Sequence, residues 1–334
     1  MGNSEHLTIL KQGVASWNHW RLGNPDIIPN LSGSNLCRAN LREANLSGVN
    51  MRWTNLGSAN LLGANLSGSD LVKSNLREAD LYKANLTDAE VSGAYLCKAY
   101  LREACLQRCD LSLANLHGSD LTEAYFNGAN LSGADLNESD LGKADLSETN
   151  LSNSILSNVN LAAADLRRSD LTGANLELAN LSNANLSDTK LINANLSNAN
   201  LQECDLSNAA LSQVNLSNAN LVDSLLSNAN LSNANLSSAN LRGAILSNAI
   251  LSHADLRDCN LEDAILSDAI LNNANLSAAS LIGAQLISAK LDYAFLIGTN
   301  LVKANLRLAN LNEVSLAEAN LFGTIMPDGS VQNH

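Results

Sequence analysis

Residues 171–220 read LTGAN LELAN LSNAN LSDTK LINAN LSNAN LQECD LSNAA LSQVN LSNAN. Every fifth residue is Leu, and the position two before each Leu holds nothing larger than Val. The period runs in both directions without insertion, from Leu31 to Leu321. A helix repeats its apolar face every ~3.6 residues and a strand every ~2, so a sustained five fits neither. Asn and Ser in every unit compete for backbone hydrogen bonds and disfavour helix. Asn, Asp, Ser and Gly are turn builders. The chain therefore turns the same way once per unit. Leu and the small residue two before it face inward, and the other three face water.

A unit this small cannot bury its own apolar residue and has to stack on its neighbours. Departures from the consensus recur every 20 residues, as at Leu225, Ile245 and Ile265, or Ile250 and Ile270. The A-(N/D)-L-x-x units, such as Ala174-Asn175-Leu176 and Ala194-Asn195-Leu196, resemble those of the pentapeptide repeat family. The resemblance implies an all-β solenoid, a right-handed quadrilateral β-helix whose coils stack by backbone hydrogen bonds. It also suggests that many members have no assigned biochemical role. The N-terminal W-N-H-W-R followed by N-P-D-I-I-P-N-L-S-G is similar to cyanobacterial members.

Centres from 31 to 321 in fives number (321 − 31)/5 + 1 = 59, nearly 15 coils at four per coil. At ~4.8 Å per paired strand the expected length is roughly 70 Å. The centre is Leu except at Met51, Val91 and Phe126, with Met326 as a candidate last member. The expected organisation is an N-terminal capping helix and linker over 1–29, the repeat body over 30–326 and a tail over 327–334.

In residues 4–22 the period switches to helical. Leu7, Leu10, Val14 and Trp17 fall on one face, Ser4 is a candidate N-cap, and Gly23 and Pro25 mark the stop. The first coil of a solenoid exposes its core and strand edges, and Leu7, Leu10, Val14, Trp17 and Trp20 are the residues expected to cover them. At the other end, Pro327-Asp328-Gly329-Ser330 ends the repeat in a turn with no second helix. An uncapped C-terminal end, and a homodimer joined through it, are the expectation.

The formal charge of −13 argues against direct nucleic-acid binding, which needs clustered Lys and Arg. Between Asp110 and Glu148 eight carboxylates face the single Lys143, an acidic band whose simplest role is solubility. Arg38, Arg42, Arg52, Trp53, Tyr82, Tyr95, Tyr100 and Tyr125 give the first part of the repeat its varied outward positions. Asn160, Asn180, Asn200, Asn220, Asn240 and Asn260 share a column and are expected to form an amide ladder.

Of six cysteines, Cys109, Cys204 and Cys259 occupy the inward slot, where a thiol substitutes for Ala. Cys37 and Cys97 lie three coils apart, about 14 Å, too far for a disulfide. A reducing, cytoplasmic setting fits. The N-terminal MGNSEHLTIL has no basic start and no uninterrupted apolar core, and no membrane span is visible.

Catalysis needs converging groups in a concave site. A filled tube with flat faces offers none, so no enzyme, cofactor or metal is expected. Cys97 with His117 is the nearest approach to a metal pair, and two ligands do not make a zinc site. Asp120 and Asp140 are read as surface charges. Two apolar stripes stand out on exposed slots: Leu225, Ile245 and Ile265 beside Ile250 and Ile270, and separately Ile282, Val302 and Phe322. A contiguous patch suggests an interface. The leading expectation is a non-enzymatic interaction protein with an unknown protein partner. The alternative, which the family resemblance supplies, is a DNA mimic that protects or inhibits a type II topoisomerase such as DNA gyrase. The uninterrupted coils and the preference for Asn over Asp before each Leu depart from that pattern.

Overall fold

The computed structural model describes residues 2–333 in two compact units, Met1–Asp165 and Leu166–His334. Unit 1 opens with α1 (Ser4–Lys11) and α2 (Val14–Gly23) and continues as repeats from Asn30. Unit 2 is built of repeats and a short tail. In both, the residue before the centre pairs in parallel with its counterpart 20 residues on, as in Asn35↔Asn55 and Asn195↔Asn215, a pattern that lapses near the C-terminal end, where Phe295 has no such partner at Ser315. Each rung is a single residue, and a β-helix-like stack of coils results.

The pentapeptide Ala194-Asn195-Leu196-Ser197-Asn198 shows why five residues suffice. Leu196 N–H donates to Asn215 O (2.7 Å) and Asn198 N–H to Ser217 O (2.9 Å) in the next coil. Asn195 N–H reaches back to Ala174 O (2.9 Å). Ala194 N–H closes its own turn onto Leu191 O (3.1 Å), as Ala199 N–H does onto Leu196 O (3.1 Å). The fifth amide, of Ser197, donates to Asn195 Oδ1 (3.2 Å). All five donors are therefore used, as a buried backbone demands. The Asn or Asp before Leu is the side chain that completes the set, as an Asx turn.

The corner residue takes φ near +60° at every turn from Gly33 to Glu313, with Asn198 at 60°. Only that residue of the turn is left-handed, the signature of a type II turn. Gly and Asn suit it, yet Trp53, Leu113 and Tyr293 adopt it too, each at a cost of about 1–2 kcal/mol.

The centres from Leu31 to Leu306 are buried, as are the small residues two before them from Ala44 to Ala309. One ring, Phe126, is fully enclosed between the small residues Ala124 and Ala129, so the interior is not closed to aromatics. Most hydroxyls in the inward slot return to the carbonyl of a centre residue, either in their own turn (Ser139 Oγ to Leu136 O, 2.6 Å) or in the previous coil (Thr54 Oγ1 to Leu31 O, 2.9 Å), whereas those of Ser69 and Ser74 are buried without a partner.

The N-terminal segment differs from the single helix expected. It breaks at Gln12–Gly13, where Gly13 has φ 115°, and Asn3 rather than Ser4 caps α1, accepting from Glu5 N–H (2.8 Å). The break turns α2 so that its side chains meet the open edge of the first coil. Trp17 Nε1 donates to Asn45 O (2.7 Å), Asn18 binds both Asn45 N–H and Glu43 O, and Arg21 donates to Ser47 O (2.8 Å). His6, which sequence reading left without a role, is buried and accepts from Asn30 N–H at Nδ1 (3.1 Å). Trp20 lies against both His6 and Trp17. Leu10 and Trp17 are buried, and Leu7, Val14 and Trp20 are half-buried.

The C-terminal end departs further. The turn at 327–330 returns the chain so that Ile325 pairs with Val331 in antiparallel fashion, with Gly323 N–H to Gln332 O (2.7 Å) and Gln332 N–H to Thr324 O (3.0 Å). One side of this end is thus covered by the tail, a pairing too short to leave a pattern in the sequence. Around it Leu311, Leu316 and Leu321 are only half-buried.

Leu196→Asp should destabilise unit 2 by on the order of 4 kcal/mol or more, because a carboxylate cannot be solvated in the filled interior. Thermal unfolding within about 2 °C of wild type would contradict the inward assignment. Asn215 accepts from Ser217 N–H (3.2 Å) and Asn235 Nδ2 (3.1 Å) and donates to Asn195 Oδ1 (2.9 Å). Asn215→Leu should therefore cost about 1–3 kcal/mol, and Asn215→Asp, which keeps both acceptor bonds, less; urea titration of the two variants checks the order.

Candidate functional site

Among the described residues no group of three or more His, Cys, Asp or Glu is arranged to hold a metal. Cys97 and His117 do stand one coil apart, with Lys98 N–H donating to His117 O (2.9 Å). The Cys97 thiol, however, donates to Asn115 Oδ1 (3.1 Å), and His117 Nδ1 lies 3.4 Å from Asn137 Nδ2. The pair Asp120 and Asp140 is likewise occupied by local structure. Asp120 Oδ1 accepts from Thr122 N–H (3.0 Å) and Oγ1 (2.6 Å), and Asp140 Oδ1 from Gly142 N–H (2.9 Å) and Asn160 Nδ2 (2.8 Å). The carboxylates of the 110–148 band fall on all sides of the coils because they sit at different positions in the 20-residue register.

All six cysteines are free. Cys37 is exposed and Cys97 and Cys105 half-buried, whereas Cys109, Cys204 and Cys259 are buried in the inward slot. Burial, reinforced by the nearby carboxylates of Asp110 and Asp205, pushes the Cys109 and Cys204 thiols far above their ordinary range. Cys259 is pushed up to about 12, again by burial.

Unit 2 brings the apolar stripe together in its own register. Leu225 pairs with Ile245 and Ile245 with Ile265, and Ile250 pairs with Ile270 on the neighbouring face. Leu225 is 40% and Ile265 36% exposed, and the other three are half-buried. Ile282 and Val302 are half-buried and Phe322 exposed. Near the C-terminal end Tyr293, Phe295, Ile297 and Leu308, none of which stood out in the sequence, are each more than half exposed, and the first three line a cavity of about 390 Å³. They fall in different columns of the 20-residue register, so no column pattern links them. The amide column is joined from Asn180 through Asn200 to Asn220 by side-chain bonds of 3.3 and 2.9 Å. Asn240 and Asn260 accept from Arg242 and Glu262 N–H, the same turn bond that Asn200 and Asn220 make to Gln202 and Val222 N–H.

In unit 1 Trp53 is 59% exposed beneath the Arg52 guanidinium, 5.1 Å from its ring centre. Arg108 and Asp88 pair at 2.7 Å, and the hydrogen bond holds the Asp88 carboxyl below its ordinary range. A shallow groove of about 440 Å³ crosses neighbouring coils, walled by Tyr82 and Tyr100 with Glu78, Asp80, Arg102 and Asp120. None of the helices among the described residues is long and apolar enough to cross a membrane.

This single-residue rung, five-residue turn and Leu-Ala interior define a repeat protein of the pentapeptide class. The sequence profile described as pentapeptide repeats matches in eight copies over segments spanning 29–326, and the chain belongs to that family. Among solved structures it is similar to HetL, a pentapeptide repeat protein involved in heterocyst differentiation regulation from the cyanobacterium Nostoc sp. strain PCC 7120, with 37% identity over 64% of this chain and 91% of that one and a TM-score of 0.45. It is also similar to QnrB1, a plasmid-mediated fluoroquinolone resistance protein, at 22% identity over 62% and 91% of the two chains with a TM-score of 0.41. A thylakoid-lumen pentapeptide repeat protein of Arabidopsis thaliana shares 29% identity over 29% and 68%, with a TM-score of 0.29. No curated protein matches.

The buried thiols make stability depend on alkaline pH. Unfolded cysteine ionises near pH 8.5, whereas the folded Cys259 holds its proton to about 12. The unfolded state therefore binds fewer protons in that window, and stability falls as pH rises from about 8.5 towards 12. The triple variant Cys109→Ala, Cys204→Ala, Cys259→Ala should lose Tm less steeply than wild type across it. At pH 8 a thiol reagent should label Cys37 in the native chain and spare the buried three.

Proposed function

We propose that this is a non-enzymatic interaction protein, which binds a protein partner through the apolar stripe of unit 2. The observation that carries the reading is the chemistry of the slot. At Leu225, Ile245, Ile250, Ile265 and Ile270 an aliphatic group stands where the side-chain oxygen of Asn or Asp would accept from the amide two residues on. Such a replacement gives up a turn hydrogen bond, worth about 0.5–1.5 kcal/mol, and places apolar surface in water. Five such positions, three paired in one column and two in the neighbouring one, form a patch that association would bury.

The remaining features fit this reading. The coils, about fifteen in the full repeat and right-handed as the resemblance implies, leave only outer faces for recognition. The α1–α2 segment acts as the cap of the first coil, since its side chains occupy that coil's free backbone groups. Half-buried Leu311, Leu316 and Leu321 support self-association through the C-terminal end into a homodimer. Free thiols support a cytoplasmic setting. Action on DNA gyrase as a duplex mimic is the competing reading, which the net charge favours. Against it, carboxylates such as Asp120 and Asp140 are turned into their own turns rather than set out as a phosphate-like row.

In pull-downs from the native cell, wild type should retain a partner that Ile245→Asp with Ile265→Asp loses, at an unchanged circular dichroism spectrum; equal recovery by both would remove the stripe from the reading. Supercoiling by gyrase should be unaffected by a large excess of the protein. Deleting residues 1–24 should produce aggregates or end-to-end association in light scattering, and an unchanged particle would refute the capping role.

A further inference from the structure

We propose that the groove of unit 1 is a receptor for an arginine side chain presented by a basic segment of a partner protein. The inference rests on the interaction-protein reading but not on the apolar stripe, which lies in the other unit.

The groove is organised by one column of the repeat. Asp80 pairs with Tyr100, and Tyr100 with Asp120. A ring 56% exposed therefore stands between two carboxylates, each one coil, about 4.8 Å, away along the stack. Tyr82 and Glu78 complete the wall. Two carboxylates keep capacity for a ligand. Asp80 Oδ1 accepts from Tyr82 N–H (3.1 Å) and Asp120 Oδ1 from Thr122. In both, the second oxygen is left over, and the Glu78 carboxylate makes no ion pair or side-chain hydrogen bond among the described residues.

The two cations beside the aromatic wall, Arg102 and Lys83, are already neutralised. Arg102 lies 3.6 Å from Glu123 and 3.9 Å from Glu103. Lys83 pairs with Glu103 (3.2 Å) and sits 5.0 Å from the Tyr82 ring centre, while Tyr82 Oη donates to Glu103 (3.1 Å). Hydrogen bonds from Tyr82 and Glu103 raise the Lys83 ammonium above its ordinary value, so it stays charged and engaged. With these four charges cancelled, the column presents Asp80 and Asp120 as negative groups on either side of an open aromatic face, while Glu78 at the edge of the groove is flanked by Arg77 and, one coil on, Lys98.

That combination selects a planar cation. A guanidinium stacks on a tyrosine ring and reaches carboxylates on both sides in a fork, whereas an ammonium is a point charge that stays more strongly hydrated. The groove is shallow, so it can enclose the end of a side chain held by a larger partner better than a free small molecule.

The test uses the full chain carrying 3-fluorotyrosine, whose five tyrosines include Tyr293 in unit 2 as an internal control. The probe is the peptide acetyl-Gly-Gly-Arg-Gly-Gly-amide, with neutral citrulline or with lysine in place of arginine as comparisons. Fluorine NMR should show the Tyr82 and Tyr100 resonances moving with the arginine peptide, with a dissociation constant of roughly a millimolar, while Tyr293 stays still. Binding should weaken about fivefold in Tyr100→Ala and in Asp120→Asn, the loss expected of one cation–π contact or one charged partner, and should weaken with added salt. Equal shifts with the citrulline peptide, tighter binding of the lysine peptide, or undiminished binding in both variants with the Tyr293 resonance intact would overturn the proposal.

Discussion

One hydrogen bond underlies the architecture: the amide that the coil ladder cannot use is taken by the side chain two residues before it. Three of the five N–H groups in a unit bond to neighbouring coils and a fourth closes the turn. The fifth points along the corner, where no carbonyl is available. An Asn or Asp oxygen at that point, as in Asn195 to Ser197 or Asp120 to Thr122, completes the accounting. The A-(N/D)-L-x-x pattern is therefore a list of what the backbone requires: a small residue for the turn, an acceptor for the stray amide, and a branched aliphatic residue for the interior.

Much of this was legible because the requirement repeats. Leu196 and Ala194 could be placed inside from the period alone, and both are buried. The pairing of Leu225 with Ile245, and of Ile245 with Ile265, followed from the 20-residue spacing. What escaped was unique to one place in the chain. The helical face from Leu7 to Trp17 reads continuously through Gln12–Gly13, so the break shows only once α2 has to meet the Asn45 edge. His6 gave no signal because its partner is a single backbone N–H, that of Asn30. The groove draws on residues from 58 to 120, and no spacing rule in the sequence ties Tyr100 to Glu78.

Both surfaces on which the functional reading rests coincide with loss of the acceptor. Tyr100 and Ile245 occupy the same slot of the pentapeptide as Asn195, and neither can return an oxygen to the amide two residues on. The fold tolerates such losses because the ladder above and below continues: Tyr100 N–H still reaches Ala79 O (2.9 Å) and Ile245 N–H still reaches Ser224 O (2.9 Å). Recognition can thus be written into this slot at the cost of about one hydrogen bond per residue, without disturbing the stack.

The corner slot obeys a different economy. Its left-handed φ is imposed whatever residue stands there, as Gly173 and Leu178 both show, so a large side chain is strained by about 1–2 kcal/mol relative to Gly. Yet the corner projects farthest into water, and Trp53, Leu113, Leu178, Tyr293 and Leu308 are all strongly exposed. Bulk in that position gains no burial within the chain to offset the strain. Trp53 is joined by the Arg52 guanidinium 5.1 Å from its ring centre, and Tyr293 shares a cavity with its neighbours Phe295 and Ile297.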